Sequence, residues 1–186
     1  MPGEFSHLTP RFVSFVESQP LFFVATAARD GRVNVSPKGL DTLRVLSPTR
    51  IVWLSLSGSG NETAAHVRSV NRVTLMFCAF TGEALILRVY GTCQVAHPGD
   101  AAWEALAAHF PTYPGARNIF DMGIQSVQTS CGTGVPVMSV ERERGPDELL
   151  PFYAAMSDAE LKAYWHKKNV RSIDGLETGL FEGDCG

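Results

Sequence analysis

Serine, glycine and asparagine are concentrated in one short stretch whose chemistry suits anion binding. Residues 57–61, Ser-Gly-Ser-Gly-Asn, separate an apolar segment (51–56) from a segment typical of a helix (62–70), for which Asn61 is the expected N-cap. Free N–H groups at a helix start carry partial positive charge, and glycine lets the backbone approach an anion closely. Hydroxyl groups add donors at three positions: Ser57, Ser59 and Thr63. The stretch predicts a phosphate site, although it matches neither the Walker loop nor G-x-G-x-x-G.

A lysine after a predicted hairpin supplies a cation for the same site. Lys38 follows Ser36-Pro37, where the returning strand of the hairpin is expected to break beside the 51–56 strand. An ammonium group at that place would neutralise a bound phosphate. Taken separately, the lysine is explained as a solvated charge and the loop as a turn with a helix cap. Together they favour anion binding.

The elements that would position these residues are mostly short strands joined by turns. The predicted strands are 22–28, 32–36, 43–46, 51–56, 72–80, 84–95 with a bulge at Gly91, and 134–141. The predicted helices are 10–19 with Thr9 as its cap, 62–70, 98–109, 119–128 and 158–167. Because the helices do not alternate with the strands, the pattern favours a mainly β, α+β fold, an antiparallel barrel. We expect one domain over 1–186, with a core of about 10–141 and a C-terminal helix and irregular tail over 142–186.

Composition and charge exclude several classes of protein. The chain has 186 residues, of which 45% are hydrophobic, a net charge of −3 and a pI near 5.9. A nucleic-acid surface needs a basic face, which the net negative charge does not favour. A membrane-spanning helix needs about 18 apolar residues in a row, and the sequence has no such run. The start of the chain lacks the pattern of a secretory signal, so we expect a cytoplasmic protein. The scattered cysteines, Cys78, Cys93, Cys131 and Cys185, are expected to be free thiols, and no residue spacing indicates a metal site.

Three segments resemble one known family. They are FFVATAARDGRVNVSPKG (22–39), IVWLSLSGSGNETAAHVRSVNRVTLMF (51–77) and ALILRVYGTCQV (84–95), and their order is similar to that of the pyridoxamine 5′-phosphate oxidase-like, FMN-binding split-barrel proteins. The resemblance covers roughly residues 10–97. It implies a split β-barrel of antiparallel Greek-key type, a homodimer with flavin at the interface, FMN as cofactor, and an oxidoreductase acting on a small organic substrate.

The resemblance also implies which residues contact the cofactor. Ser36, Pro37 and Lys38 match the strand end that contacts flavin and phosphate, and Trp53, Leu54 and Ser55 match the strand lying against the ring. Ser59, Gly60, Asn61, Glu62 and Thr63 match the phosphate-binding loop and helix start. Arg88 lies in an otherwise apolar strand, where it would face the flavin ring, the dimer interface or the outside of the barrel.

The sequence departs from the authentic oxidases in two places. Those enzymes carry an Arg-Lys pair where this chain has Glu62-Thr63, and an acidic side chain beside a phosphate must turn away from it or act at the helix start. Their C-terminal Arg-x-His substrate motif is absent here, so pyridoxamine-phosphate oxidase activity is not expected. The segment 169–176 looks like one in a branch of the family whose role is not known.

Other ligands remain open at this point. Relatives also bind the deazaflavin F420, which has a phosphate and a tricyclic ring as FMN does. A non-catalytic flavin carrier or a haem binder is a further alternative, and a haem would need an axial ligand such as histidine. His66 is the histidine that lies in the predicted flavin segments.

Overall fold

A computed structural model describes residues 3–182 of the chain. Cys185, one of the predicted free thiols, lies outside these residues. The strands are β1 (Gly3–Phe5), β2 (Phe22–Ala27), β3 (Val33–Lys38), β4 (Leu43–Ser47), β5 (Arg50–Leu56), β6 (Val73–Cys78), β7 (Leu85–Ala96) and β8 (Ala116–Cys131). The helices are α1 (Pro10–Glu17), α2 (Glu62–Ser69), α3 (Trp103–Ala107), α4 (Leu150–Ala154) and α5 (Asp158–Lys168), and a π-helical turn (Gly145–Leu149) leads into α4.

The strands form a single antiparallel sheet. Its order is β3-β2-β6-β7-β8-β5-β4, and β1 adds to β8. The path begins at β3 and ends at β4, so the sheet is open, as in a split barrel. The long strands β7 and β8 pair over most of their length, with a register shift between Tyr90 and Gly91. The prediction of a mainly antiparallel α+β split barrel with flanking helices is confirmed, and so is the bulge at Gly91.

Burial on both faces of β5 divides the core into two parts. Ile51 and Trp53 face the main cluster inside the barrel, which also contains Phe12 of α1. Val52 and Leu54 face the opposite way and pack with Leu106 of α3. A strand covered on both sides reads as a continuous apolar run, as 51–56 does in the sequence. This placement fixes β5, and with it the loop that follows.

Strand β8 corrects the predicted helix 119–128. Ile119, Phe120 and Met122 are all buried, since the middle of β8 is covered on both faces. Apolar residues at adjacent and third positions imitate a helical stripe, which explains the wrong prediction. The strand pairs with both β5 and β7, so sheet pairing decides its conformation.

The predicted strand 134–141 is also wrong. This segment is irregular, with Val137 86% exposed, and a backbone hydrogen bond from Met138 N–H to the Phe80 carbonyl (3.0 Å) ties it to the barrel. Pro136 cannot donate to a sheet ladder. The predicted helix 98–109 is shorter in the structure, where it is α3. Gly99 has a positive φ of 96°, which a right-handed helix does not contain, so the helix cannot begin at residue 98.

The helix caps follow the sequence in part. Thr9 caps α1 by accepting a hydrogen bond from the Phe12 N–H (3.3 Å), as expected. Asn61 occupies the cap position of α2, but its side chain makes no capping bond. That part of the prediction is wrong, and the Asn61 amide is used elsewhere. No helix within residues 3–182 is both long and apolar enough to cross a membrane.

The bulge in β7 generates a test of the barrel. A Cβ atom at Gly91 would overlap the Gly123 carbonyl oxygen, whereas a Cβ at Gly123 would meet nothing within 4 Å. We predict that Gly91→Ala lowers the free energy of unfolding by at least about 2 kcal/mol, because backbone of β8 must move. Gly123→Ala is the matched control and should leave stability unchanged or raise it by about 0.5–1 kcal/mol. Urea unfolding of both variants measures this, and equal stabilities would contradict the close approach.

Candidate functional site

One cavity collects the polar residues that the sequence analysis singled out. It has a volume of about 580 Å³, within the usual range for small-molecule sites. Its walls come from the ends of β3 and β5, the loop 57–61, the start of α2, the start of β8 and the segment 143–149. The residues that line it include Asn34, Ser36, Pro37, Lys38, Leu40, Leu54, Ser55, Ser57, Ser59, Gly60, Asn61, Glu62, Thr63, Arg117, Phe120, Arg144 and Leu149.

Strand β3 presents a polar face to this cavity. Side chains alternate along a strand, so Asn34, Ser36 and Lys38 share one side. The strand runs through Pro37 to Lys38, which corrects the predicted break at 36–39. Since β3 lies at the end of the sheet, a proline that cannot donate to a further strand is tolerated there.

Lys38 brings a cation into the cavity without an acidic partner. Its ammonium group donates to the Ser55 hydroxyl (3.1 Å). Burial, together with the smaller effect of the nearby positive charge of Arg117, lowers the pKa of Lys38 from 10.5 to about 8. Within residues 3–182, Lys38 makes no ion pair with a carboxylate.

Arg117 is a second buried cation on the same wall. Only 3% of the residue is exposed, and burial lowers its pKa to about 10. Its Nη1 donates to the Gly60 carbonyl (2.9 Å), whereas its Nε has no partner among the described residues. An unpaired buried guanidinium is costly, so two such cations side by side leave a site that an anion would stabilise.

The glycine-serine loop is held by its carbonyl groups. The Gly58 carbonyl accepts a hydrogen bond from Asn169 Nδ2 (2.9 Å), and the Gly60 carbonyl accepts that from Arg117. In a trans peptide the following N–H points the opposite way, so these anchors direct the N–H groups of Ser59 and Asn61 away from them. From residue 59 to residue 64, no backbone N–H has an acceptor within the described chain. These donors remain available to a ligand.

Asn61 and Ser57 have structural contacts. The side-chain Oδ1 of Asn61 accepts from Asn118 Nδ2 (2.6 Å), and Asn118 Oδ1 in turn contacts His97 Nδ1 (3.1 Å). The Ser57 hydroxyl donates to the Gly115 carbonyl (2.7 Å) and accepts from Trp165 Nε1 (2.6 Å). Both side chains therefore fix the loop against β8 and α5.

Glu62 is occupied by another part of the chain. Its carboxylate accepts the Ile173 N–H at 3.0 and 3.1 Å. The Thr63 hydroxyl accepts from Asn34 Nδ2 (3.3 Å), which leaves the hydroxyl proton free to donate. The acidic residue at the helix start is thus engaged by a backbone amide.

Two of the predicted contact residues lie away from the cavity. Trp53 is 0% exposed and stacks on Phe120 with ring centroids 4.9 Å apart, inside the barrel. It shares a strand face with Ser55 but lies farther from the strand end, where Phe120 covers it. Arg88 donates to the Ser130 hydroxyl (2.9 Å) across β7 and β8. Neither side chain lines the cavity.

His66 is enclosed by the fold. It is 1% exposed, its Nδ1 contacts the Thr26 hydroxyl (3.0 Å), and its Nε2 has no partner within the described chain. A haem iron needs a ligand that it can reach. The position of His66 therefore gives the haem alternative no support.

Arg117 and Leu40 line the cavity but were not predicted from the sequence. Arg117 sits one residue before the strand pair Asn118–Ser55, so it could be found only once 116–131 is recognised as a strand beside β5. Leu40 adopts a left-handed φ of 59°, which is strained for a branched side chain. The Leu40 side chain packs against Gly145, where an added Cβ atom would overlap it, and so closes the cavity beside Gly145.

Comparison with known proteins identifies the family. The sequence model described as pyridoxamine 5′-phosphate oxidase matches residues 8–131, two thirds of the chain. The chain belongs to the pyridoxamine 5′-phosphate oxidase family. It is 33% identical over 192 residues to the pyridoxamine 5′-phosphate oxidase family protein ustO of Aspergillus flavus, covering 95% of this chain and 77% of that protein. The resemblance seen in the sequence is confirmed.

Several solved structures share the fold. A Lactobacillus delbrueckii protein provisionally named a pyridoxamine 5′-phosphate oxidase has a TM-score of 0.55 at 24% identity, over 66% of this chain and 94% of that one. HupZ from group A Streptococcus has a TM-score of 0.52 at 17% identity, over 64% of this chain and 91% of that one. Both alignments cover about two thirds of this chain.

The lowered pKa of Lys38 generates a test of the site without ligand. Between pH 8 and 10.5 the unfolded chain holds a proton at Lys38 that the folded chain has lost. The free energy of unfolding therefore rises with pH in this range, and Lys38 destabilises the folded protein most below pH 8. We predict that Lys38→Met raises the free energy of unfolding at pH 7 by up to about 3 kcal/mol. The gain over wild type should shrink between pH 8 and 10.5.

Urea unfolding at several pH values measures this difference. Lys167→Met, at an exposed lysine of α5, is the control and should stay within about 0.5 kcal/mol of wild type. A Lys38→Met protein less stable than wild type at pH 7 would show that the ammonium group is not desolvated.

Proposed function

We propose that the cavity binds flavin mononucleotide by its phosphate and that the protein is an FMN-dependent oxidoreductase acting on a small organic substrate. The observation that carries the proposal is the pair of buried cations, Lys38 and Arg117, beside a loop with unpaired N–H groups. Family membership agrees with a flavin ligand. The two cations and the helix start suit the two negative charges of a phosphate monoester.

The rest of the cavity suits the flavin ring. Part of the cavity wall is apolar, with Leu40, Leu54, Leu56, Phe120 and Leu149 among the lining residues. Such walls exclude water and hold a flat ring by packing. When bound, FMN supplies hydride and electron transfer, while the protein orients it and sets its electrostatic surroundings.

Lys38, Ser55 and Arg117 have distinct parts in this arrangement. Arg117 is held by the Gly60 carbonyl, and this residue lines the cavity beside the loop, where its positive charge would attract a phosphate. Ser55 orients the Lys38 ammonium group. A bound phosphate favours the protonated form of Lys38, so binding should take up a proton near pH 8.

The substrate differs from pyridoxamine 5′-phosphate in this proposal. The Arg-x-His motif that serves that substrate in the oxidases is absent from the sequence. Reduction of the bound flavin by NADH or NADPH, followed in stopped flow, would distinguish an enzyme from a flavin carrier. Unpaired Cys78, Cys93 and Cys131 accord with the reducing cytoplasm that we propose as its location.

We also propose a homodimer with flavin at the interface. The outward face of β3 is apolar, with Val33 70% and Val35 59% exposed, although this strand lies at the end of the sheet. An edge strand normally carries charge on its free face. The opposite face of β3 lines the cavity, so a partner covering Val33 and Val35 would lie next to the flavin.

The cofactor proposal predicts how ligand binding depends on the phosphate. Purified protein should be yellow, with the absorbance of oxidised flavin at about 450 nm. Lys38→Ala should weaken FMN binding roughly 10- to 150-fold, since a charge-assisted contact contributes about 1.5–3 kcal/mol. Arg117→Met should weaken it similarly. Riboflavin, which lacks the phosphate, should bind both variants as it binds wild type.

Fluorescence titration measures these affinities, and Lys167→Ala serves as the control with the same charge change. Mass spectrometry of the extracted ligand distinguishes FMN from F420. A colourless protein that takes up no added FMN would exclude the proposed cofactor.

The dimer proposal has a separate test. Val35→Glu places a charge on the apolar face of β3. It should raise the Kd of the dimer at least tenfold, because the carboxylate would be buried unpaired in the interface. Gln94→Glu, at an exposed position of β7, is the matched control. Analytical ultracentrifugation measures both, and a wild type that is monomeric at micromolar concentration would overturn this part.

A further inference from the structure

A segment near the C-terminus packs directly on the candidate phosphate loop. We call residues 169–178, Asn-Val-Arg-Ser-Ile-Asp-Gly-Leu-Glu-Thr, the C-terminal clasp. It follows α5 and includes the segment whose family role is not known. Its contacts reach the loop, the start of α2 and the β2–β3 hairpin, all of which surround the cavity.

The first anchor of the clasp is Asn169. This residue is 0% exposed, and its Nδ2 donates to the Gly58 carbonyl (2.9 Å). Its own carbonyl accepts from Asn61 Nδ2 (3.2 Å) and from the Thr178 hydroxyl (2.7 Å). One buried asparagine therefore joins both ends of the loop 58–61 to both ends of the clasp.

The second anchor is Glu62, at the first position of α2. The Ile173 N–H bond described above satisfies its carboxylate with a backbone donor of the clasp. In this chain an acidic residue stands where the oxidases carry a basic one. The clasp thus gives this departure a structural purpose, because Glu62 binds protein and not the ligand.

The third anchor ties the clasp to the strand that carries Lys38. The Asp174 carboxylate accepts from the Arg32 N–H (2.7 Å) and pairs with the Arg32 guanidinium. These contacts lower the pKa of Asp174. Gly31, with φ of 95°, leaves the space that Asp174 fills, since a Cβ at Gly31 would overlap that carboxylate.

The clasp has an internal order of its own. Ser172 N–H bonds to the Leu176 carbonyl (2.8 Å), and Thr178 N–H bonds to the Val170 carbonyl (3.1 Å). These bonds close a compact turn, so the three anchors belong to one body. Arg171 and Glu177 pair on its exposed side, away from the loop.

We propose that the C-terminal clasp positions the phosphate-binding loop, with Asn169 as the residue that fixes the Gly58 peptide so that the loop N–H groups stay free for the phosphate. This inference rests on the proposed function. Within residues 3–182, the hydrogen bonds and ion pairs of the clasp reach α5, the loop, Glu62 and Arg32, and none involves the side chain of an apolar lining residue. We therefore expect the clasp to act on phosphate affinity and not on ring packing. Because coupling is reciprocal, phosphate binding also stabilises the docked clasp.

The test compares a clasp variant with a control inside the same segment. Asn169→Ala removes the bond to the Gly58 carbonyl, and we expect FMN and inorganic phosphate to bind about tenfold more weakly, while riboflavin affinity changes less than twofold. Arg171→Ala breaks an exposed ion pair only, and FMN affinity should stay within twofold of wild type. A purely structural effect of Asn169→Ala would weaken FMN and riboflavin alike, which would overturn the proposal.

A second measurement uses the wild-type protein and tests the proposal even if the Asn169→Ala variant does not fold. Amide hydrogen exchange in residues 169–178 should slow severalfold when FMN is added, and far less when riboflavin is added. Equal protection by the two ligands, or none by FMN, would overturn the clasp. A wild type that binds neither FMN nor inorganic phosphate would remove the proposed function as well, whereas FMN binding unaffected by Asn169→Ala would remove this inference alone.

Discussion

Two buried positive charges, neither of which is paired with a carboxylate among residues 3–182, are the constraint around which this molecule is arranged. Moving Lys38 and Arg117 out of water is costly, and mutual repulsion adds to the cost. We propose that an anionic ligand supplies the missing negative charge. The loop 57–61 and the start of α2 add unpaired N–H groups at the same place. The ligand-free protein is therefore less stable than it would be with apolar residues at these positions, and binding recovers the difference.

The barrel holds these groups in place through long-range contacts. Lys38 comes from the edge strand β3 and Arg117 from the central strand β8, while the loop between β5 and α2 completes the site. Gly58 and Gly60 are anchored through their carbonyl oxygens by Asn169 and Arg117. Anchoring the carbonyl side of the loop orients its donors before any ligand arrives. Such preorganisation reduces the ordering cost of binding.

The sequence predicted the parts of the site that depend on local order. The apolar strand, the glycine-serine loop and the helix start are adjacent in the chain, and turn and helix-start signals are local. Arg117 was missed because β8, buried on both faces, imitates a helix, and only pairing with β5 brings this residue to Ser55. Trp53 was predicted to lie against the ring, and in the structure it stacks on Phe120 inside the barrel and does not line the cavity. The clasp could not be foreseen, since its anchors join residues more than 100 positions apart.

The most direct test of the account is an experimental structure of the protein with FMN bound. We predict that phosphate oxygens lie within hydrogen-bond distance of the Arg117 guanidinium, Lys38 Nζ and the N–H groups of residues 59–63. The Gly58 carbonyl should still accept from Asn169, and Glu62 should still face the clasp. A phosphate bound elsewhere, with Arg117 and Lys38 left without an anion, would contradict the account.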